Sequence, residues 1–441
     1  MTGFFQYFLG VLDPSAIFGF WRALPELMAS AYIPWWLLGV LPVARWFLPD
    51  MVCWLVYLVE PAVIRPPLRV HARQAEPLVS VVIAGRNEAA SIREAIRASL
   101  LCGYRNIEVI FVDDCSDDDT IAIARGAARS LLPHTTERIR IFSSPRRNGK
   151  ASALNIGIRM ARGEFIAIID GDSAIQYGAM HHWLLPFTDP RVGAVAANLR
   201  VRNSTASLVT RLQECEYAFQ VTMARLAAAR LGLLTIIPGA GGLFRAEILR
   251  RLGGYDTGLG DDTDLTIKLR KQGWKLGFSV DAIVWTDVPA TLRRLCRQRK
   301  RWERNMVKIR LSKHRDMLAL GRYGVGNAVV MLDLLIMRIT FPWVAAVGLL
   351  AFALMDGPLS APALLTDLYW IYLVWLFVKA LISRDIAFTP QPHHFPLLLV
   401  YPFYKLGLRA AVMSAELAEL LRIGVKHPYV PDHVWQETPW W

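Results

Sequence analysis

The stretch LVSVVIAGRNEAASIREAIRASLLCGYRNIEVIFVDD, residues 78–114, decides the fold. Its two apolar runs, Leu78–Ala84 and Ile107–Asp113, are rich in Val and Ile and read as buried parallel strands. Glu88–Leu101 reads as the helix between them. The alternation continues with a helix over Thr120–Leu132, a strand at Ile139–Ser143, a helix at Lys150–Ala161 and a strand at Phe165–Asp170. Strand and helix at this pitch predict an α/β domain with a mostly parallel sheet. In such sheets ligands bind at the carboxyl ends of the strands, and several of this chain's carboxylates fall there.

Outward from this block the composition changes. The chain has 441 residues, 54% of them hydrophobic and 20% charged, with fifteen Trp and nineteen Phe and a mean hydropathy of +0.30. That balance excludes a disordered chain and argues against an ordinary soluble enzyme. The apolar residues gather toward both ends, with a polar, globular block between, which also argues against a pure membrane bundle. Net charge is +13, from 50 Lys and Arg against 37 Asp and Glu. A basic chain suits anionic partners, and in a membrane-bound chain Lys and Arg gather on the cytoplasmic surface near lipid headgroups. No nucleic-acid motif is present, so nucleic acid is not an expected partner. Cys53, Cys102, Cys115, Cys215 and Cys296 form no C-x-x-C pair and read as reduced thiols in a cytoplasm-facing domain, with no zinc site. Met1–Asp13 lacks the basic start of a secretory signal, so its apolar stretches are expected to stay in the mature protein.

These features divide the chain into five parts. Residues 1–75 are an N-terminal interfacial and transmembrane segment, with one or two spans between Ala31 and Ile64. Arg65, Arg69, His71 and Arg73 follow directly and mark the cytoplasmic side. Residues 76–290 are the α/β domain. Residues 291–320 are a basic amphipathic segment, and residues 321–425 hold C-terminal transmembrane or interfacial helices, with apolar stretches near 325–355 and 364–382. The Asp356–Ala363 loop has no basic residue and is placed outside; Arg384 returns the chain to the inside. Residues 396–421 carry Lys405, Arg409, Glu416 and Glu419 near one helical face. That stripe fits an interfacial helix and equally a span whose polar face lines a water-filled path. Residues 426–441 are a tail.

Four motifs carry chemistry. Val112-Asp113-Asp114-Cys115-Ser116-Asp117 ends the second strand; adjacent carboxylates there can accept hydrogen bonds from a base and from ribose hydroxyls, and alone the run also fits an acidic turn capping the next helix. Ile168-Ile169-Asp170-Gly171-Asp172 places two carboxylates at another strand end. Like charges so close repel, and a divalent cation with a preference for oxygen, Mg²⁺ or Mn²⁺, relieves that repulsion while bridging to a diphosphate. Gly260-Asp261-Asp262-Thr263-Asp264-Leu265 opens a helix, whose N-terminus favours an ionised Asp262 able to act as a general base, or simply as an N-cap. Gln298-Arg299-Lys300-Arg301-Trp302, if helical, puts Gln298, Arg301 and Trp302 on one face. Arg binds diphosphate oxygens with a fork of donors and Trp offers a flat face to a sugar ring; as a bare pattern the run also fits a basic helix lying on lipid. Gly239-Ala240-Gly241-Gly242 does not fit a dinucleotide-binding fingerprint and reads as a loop that allows close approach of a ligand.

In this order the motifs resemble those of the processive, membrane-integrated family 2 glycosyltransferases: the cellulose, chitin, hyaluronan and poly-N-acetylglucosamine synthases. The resemblance covers roughly residues 78 to 310, with Gln298-x-x-Arg301-Trp302 its most specific element and Gly149-Lys150-Ala151-Ser152-Ala153-Leu154-Asn155 a further match. It implies a cytoplasmic GT-A domain, Rossmann-like, flanked by transmembrane helices in the inner (plasma) membrane. It implies that Asp113 and Asp114 contact uridine with help from Lys150. Asp172, with Asp170 beside it, would hold the metal and the sugar-diphosphate. Asp262 would be the base, and Gln298, Arg301 and Trp302 would bind the diphosphate and the acceptor end, with the Gly239–Phe244 loop near the acceptor. The chain departs from the family at Arg86-Asn87-Glu88, where an aromatic usually precedes Asn-Glu, and at Cys115, usually Gly.

The function so implied is polymerisation of a β-linked polysaccharide from UDP-N-acetylglucosamine or UDP-glucose, with inversion, and secretion through the chain's own channel. The partners are a UDP-sugar, a growing glycan, membrane lipid and an export or regulatory subunit. Two other readings remain: a non-processive transferase adding one sugar to a lipid acceptor, and a non-catalytic nucleotide-binding membrane subunit.

Overall fold

The computed structural model describes residues 51, 54, 55, 57–59, 76–131, 138–256, 261–355, 360–386 and 394–421. The expected spans between Ala31 and Ile64, the basic residues Arg65 to Arg73 and the tail therefore lie wholly or almost wholly outside the described residues. The first four strands are β1 (Val79–Gly85), β2 (Ile107–Asp113), β3 (Ile139–Ser143) and β4 (Phe165–Asp170). They stand in the order β3-β2-β1-β4 and all pair in parallel. Helices α1 (Ile92–Leu100), α2 (Thr120–Leu131) and α3 (Lys150–Met160) make the crossovers.

The alternation of each strand sends its side chains to two cores. Val79, Val81 and Ile83 of β1 pack with Ile92 and Ile96 of α1 on one face. Val82 and Ala84 pack with Leu154 and Ile158 of α3 on the other. Because both faces are covered, the strands carry no polar alternation, which is why they read as continuous apolar runs.

The sheet is mixed rather than mostly parallel. It continues beyond β4 through β7 (Gly242–Arg245), β6 (Val192–Val201), β8 (Lys275–Thr286) and β5 (Ala174–Ile175). β7 runs antiparallel to both β4 and β6, and β5 antiparallel to β8, while β6 and β8 are parallel. The expected Gly239–Phe244 loop is corrected with it, since Gly242 to Phe244 belong to β7. A Cβ at Gly241 would meet Leu199 at 2.8 Å, and one at Gly242 would meet Ile237 at 2.7 Å. These glycines make room for sheet packing, and only Gly239 to Gly241 remain outside the strand.

The second half adds α4 (Leu208–Cys215), a π-turn (Glu216–Val221), α5 (Thr222–Arg230), α6 (Asp261–Lys271) and α7 (Leu292–Lys308), which ends in a second π-turn (Ile309–Lys313). Among the described residues two helical stretches are long and apolar enough to cross a membrane: Val325–Val347, mean hydropathy 1.8, and α9 (His394–Leu420), mean hydropathy 1.2. Between them lies α8 (Ser360–Ile386), with its apolar part at Leu368–Ser383.

The α3–β1 contact admits no extra atom, because a Cβ on Gly157 would land on Cγ1 of Val82. Gly157→Ala is expected to destabilise the α/β domain by about 2 kcal/mol. A thermal melt of the purified protein that moved by less than a degree would show that α3 can shift to absorb the methyl group.

Candidate active site

The register of the sheet builds the site. Asp113 lies across from Gly85 and Asp170 across from Ala84. β2 and β4 thus deliver their last carboxylates to the two sides of the end of β1.

Asp113 is buried and accepts hydrogen bonds from the Ser116 backbone at 3.0 Å, from Ser143 Oγ at 3.2 Å and from the Ser116 hydroxyl. Asp114 accepts from the backbone N–H groups of Asn148 at 2.8 Å and Gly149 at 2.9 Å. Burial pushes the Asp114 carboxyl up, against the pull of those two donors. Gly149 is the N-cap of α3 with φ of +89°, a conformation suited to glycine. Asp114 thereby fixes the start of α3 and aims Lys150, whose ammonium pairs with Asp170.

The two departures at this edge are coupled. Cys115 has φ of +60° and Asn87 has φ of +58°, so the position where the family carries glycine is left-handed here and holds a side chain. Arg86 donates from Nε to the Cys115 carbonyl at 3.2 Å and pairs with Asp117. Asn87 completes the clamp, donating its N–H to Ser116 Oγ and accepting the Asp117 N–H, each at 2.9 Å. Arg86 is engaged with the loop after β2.

Asp170 and Asp172 meet a third carboxylate that sequence reasoning passed over. A Cβ on Gly171 would stand 2.8 Å from Cγ of Glu88, so the Asp-Gly-Asp turn can lie on Glu88 only because its middle residue is glycine. Asp172 is pushed up to about 7, by burial first and then by Asp170 and Glu88. Glu88 is likewise raised, by burial first, with Asp170 adding to it. Buried carboxylates crowded beside a further carboxylate are short of positive charge, and their oxygens are the hard ligands that Mg²⁺ and Mn²⁺ prefer. Among the described residues no three His, Cys, Asp or Glu side chains form a closed metal cage. An open site with few protein ligands is how such ions are held when substrate phosphates complete the shell. The donor set therefore fits a divalent cation at Asp170 and Asp172.

Asp262 stands in the first turn of α6 and accepts the N–H of Thr263 at 2.8 Å. The buried member of its motif is Asp264, ringed by Lys313 at 2.6 Å, His314 at 2.7 Å and Lys268 at 2.9 Å. Burial would raise the Asp264 carboxyl, but these partners hold it below the usual carboxylate range. The cluster latches α6 to the π-turn after α7. Gln298, Arg301 and Trp302 all lie on α7, and Trp302 is 40% exposed.

One buried side chain joins these motifs. Tyr217, in the π-turn after α4, is within electrostatic reach of Arg299, Arg225 and Asp172. Arg225 is in turn within reach of Asp262. Asp172 and Arg299 are thus both within electrostatic reach of this phenol, and Arg225 extends that reach to Asp262. Nothing local in the sequence marks Tyr217 or Arg225, because their role comes from contacts across the fold.

Residues 76–305 match the family model described as glycosyltransferase like family 2. YdaM, a probable glycosyltransferase of Bacillus subtilis (strain 168), is 32% identical over 233 residues, 52% of this chain and 55% of that protein. The poly-beta-1,6-N-acetyl-D-glucosamine synthase of Staphylococcus aureus (strain COL) is 29% identical over 227 residues, 51% of this chain and 53% of that protein. The match spans about half the length of these curated relatives. Among solved structures, the mannosyltransferase PcManGT of Pyrobaculum calidifontis, in complex with GDP-Man and Mn²⁺, superposes with a TM-score of 0.63. That alignment covers 88% of this chain and 99% of that one at 23% identity, a likeness of fold.

A side chain in the left-handed region costs about 1 kcal/mol that glycine does not. Cys115→Gly is expected to raise the thermal midpoint by about 2 °C while leaving nucleotide affinity unchanged. A lower midpoint would mean that the Cys115 side chain contributes packing that outweighs its backbone strain.

Proposed function

The chain belongs to glycosyltransferase family 2, and from that premise we propose that it is an inverting, membrane-bound polysaccharide synthase using a UDP-sugar. The observation that carries this reading is the register of the sheet, which sets Asp113 and Asp170 on the two sides of the end of β1, with the Asp-x-Asp turn lying on Glu88. The name of the Staphylococcus aureus relative favours UDP-N-acetylglucosamine over UDP-glucose.

In this mechanism Asp113 and Asp114 contact the uridine, with Lys150 beside them, and Asp170 and Asp172 hold Mg²⁺ or Mn²⁺. When bound, the cation supplies neutralisation of charge on the departing diphosphate. Gln298 and Arg301 bind the diphosphate, and the exposed face of Trp302 carries the acceptor end of the glycan. Asp262 takes the proton from the acceptor hydroxyl as that oxygen attacks the anomeric carbon from the face opposite the diphosphate. The C–O bond to the new sugar forms as the bond to the diphosphate breaks, so the anomeric configuration inverts, through an oxocarbenium-like state. The catalytic domain faces the cytoplasm. The product leaves through a channel formed by the C-terminal helices, with an export or regulatory subunit as a partner. Two helical stretches of spanning length support a membrane setting.

The test is UDP release from detergent-solubilised protein with Mg²⁺ or Mn²⁺ across a panel of UDP-sugars, with the product sized. One active donor and a long, glycosidase-sensitive product are expected; a lipid-sized product would replace the polymerase with a single-sugar transferase. Asp262→Asn is expected to slow transfer by about 10²–10⁴-fold with donor affinity retained. Polymer formation at the wild-type rate in that variant would remove Asp262 as the base.

A further inference from the structure

Glu216 opens the π-turn between α4 and α5 and is buried, apart from the carboxylate cluster. Partners from two other helices close on it. Arg299 of α7 reaches Oε2 at 2.9 Å, Lys405 of α9 reaches Oε1 at 2.9 Å, and the Tyr404 hydroxyl of α9 donates to Oε2 at 2.9 Å. Burial would raise this carboxyl, but Arg299 and Lys405 outweigh it and hold the group at about 2. Arg299 has a second contact: its guanidinium carbon stands 4.5 Å from the centroid of the Trp302 ring. One nitrogen of the guanidinium is thus on Glu216 while its carbon stands over the indole, a double use suited to the broad cation of an Arg and less so to the compact ammonium of a Lys. The same π-turn carries Gln220 onto the Tyr372 hydroxyl of α8 at 3.1 Å.

We propose that Glu216 is a positioning residue: through Arg299 it fixes the plane of the Trp302 indole under the glycan acceptor, and through Lys405 and Tyr404 it makes that setting depend on α9. The proposal rests on the reading of Trp302 as the acceptor platform. Its consequence is that α9, a helix apolar enough to cross a membrane, bears on chain elongation without touching the donor. Loss of the joint leaves donor chemistry in place and loosens the acceptor, so water takes the place of the acceptor hydroxyl at the anomeric carbon, and UDP and free sugar are released in place of a longer chain.

The experiment compares full-length variants in detergent with the UDP-sugar that supports UDP release, measuring sugar incorporated per UDP released, product length and donor KM. Arg299→Lys keeps a cation on Glu216 and removes the flat face from Trp302. It is expected to lower incorporation per UDP on the order of tenfold and to shorten the product, with donor KM within about twofold of wild type. Glu216→Gln is expected to match it, and Lys405→Met to shift the same readouts in the same direction. Glu216→Gln combined with Trp302→Ala is expected to be no worse than Trp302→Ala alone. If Glu216→Gln does not survive size exclusion, Arg299→Lys decides. A shortened product in Trp302→Ala with wild-type length and coupling in Arg299→Lys overturns the positioning role and leaves the acceptor reading intact. Wild-type product from Trp302→Ala overturns the acceptor reading, and the proposal with it.

Discussion

Crowded negative charge at the end of β1 and β4 sets the terms for the rest of the structure. Burial raises the carboxyls of Glu88 and Asp172, and the neighbouring negative charge of Asp170 adds to both. Folding does not favour such an arrangement by itself, since burying like charges costs energy. The fold tolerates it by bringing Lys150 onto Asp170, and the route by which Lys150 gets there is the function of Asp114. Its two backbone hydrogen bonds fix Asn148 and Gly149 at the mouth of α3. A carboxylate expected to face a nucleotide is therefore also the anchor of the cation that steadies the carboxylate turn. The positive charge still missing is what an oxygen-preferring divalent ion would bring.

The catalytic edge needs a second kind of support, because Asp262 and the Gln-x-x-Arg-Trp helix come from far along the chain. Two buried carboxylates hold them. Asp264 gathers Lys268, Lys313 and His314, so α6 is tied to the turn that follows α7. Asp256 adds to this with Lys268 at 2.5 Å and with Lys313. Glu216 gathers Arg299, Lys405 and Tyr404, so α7 is tied to α9. Removing one partner from a buried pair leaves a charge without compensation, which makes both clusters stiff joints rather than adjustable ones.

The half of the fold with fully covered faces was legible in the sequence. β2 and β4 occur at the residues their apolar runs predict, because a strand buried on both sides leaves an uninterrupted signal, and the half-exposed edge strand β3 also falls where expected. The other half was not. β6, Val192–Val201, is buried along its whole length, but its Gly and Ala residues give it no strong strand signature. β7 has four residues and begins at a glycine that reads as loop. In β8, Lys275–Thr286, buried and part-exposed residues alternate, but the buried positions include Ala and Thr beside Leu, Phe and Val, so the apolar alternation is weak. Antiparallel insertion of β7 between β4 and β6 is what turns a mostly parallel expectation into a mixed sheet. At the site, Asp113, Asp114, Asp170, Asp172 and Asp262 stood out because local spacing marks them. Glu88, Tyr217, Arg225 and Glu216 did not, because each matters through a partner far away in sequence.

The polar stripe of α9 shows the same limit, and the structure narrows what it can be. Sequence alone left it as the wet face of an interfacial helix or the lining of a path. In the fold α7 packs along α9, and Lys405 meets Glu216 while Glu419 meets Arg304 of α7 at 3.1 Å. Glu416 is buried and paired with Arg409 at 2.8 Å, and Glu303 of α7 pairs with Arg338 at 3.0 Å. Each charge of the stripe is therefore partnered, Lys405 by the π-turn, Glu419 by the basic helix, and Arg409 and Glu416 by each other. That matching also changes the meaning of the +13 net charge. Arg299 and Arg304, both in the most basic segment, hold helices together, so charge density along α7 overstates the cationic surface left for a diphosphate.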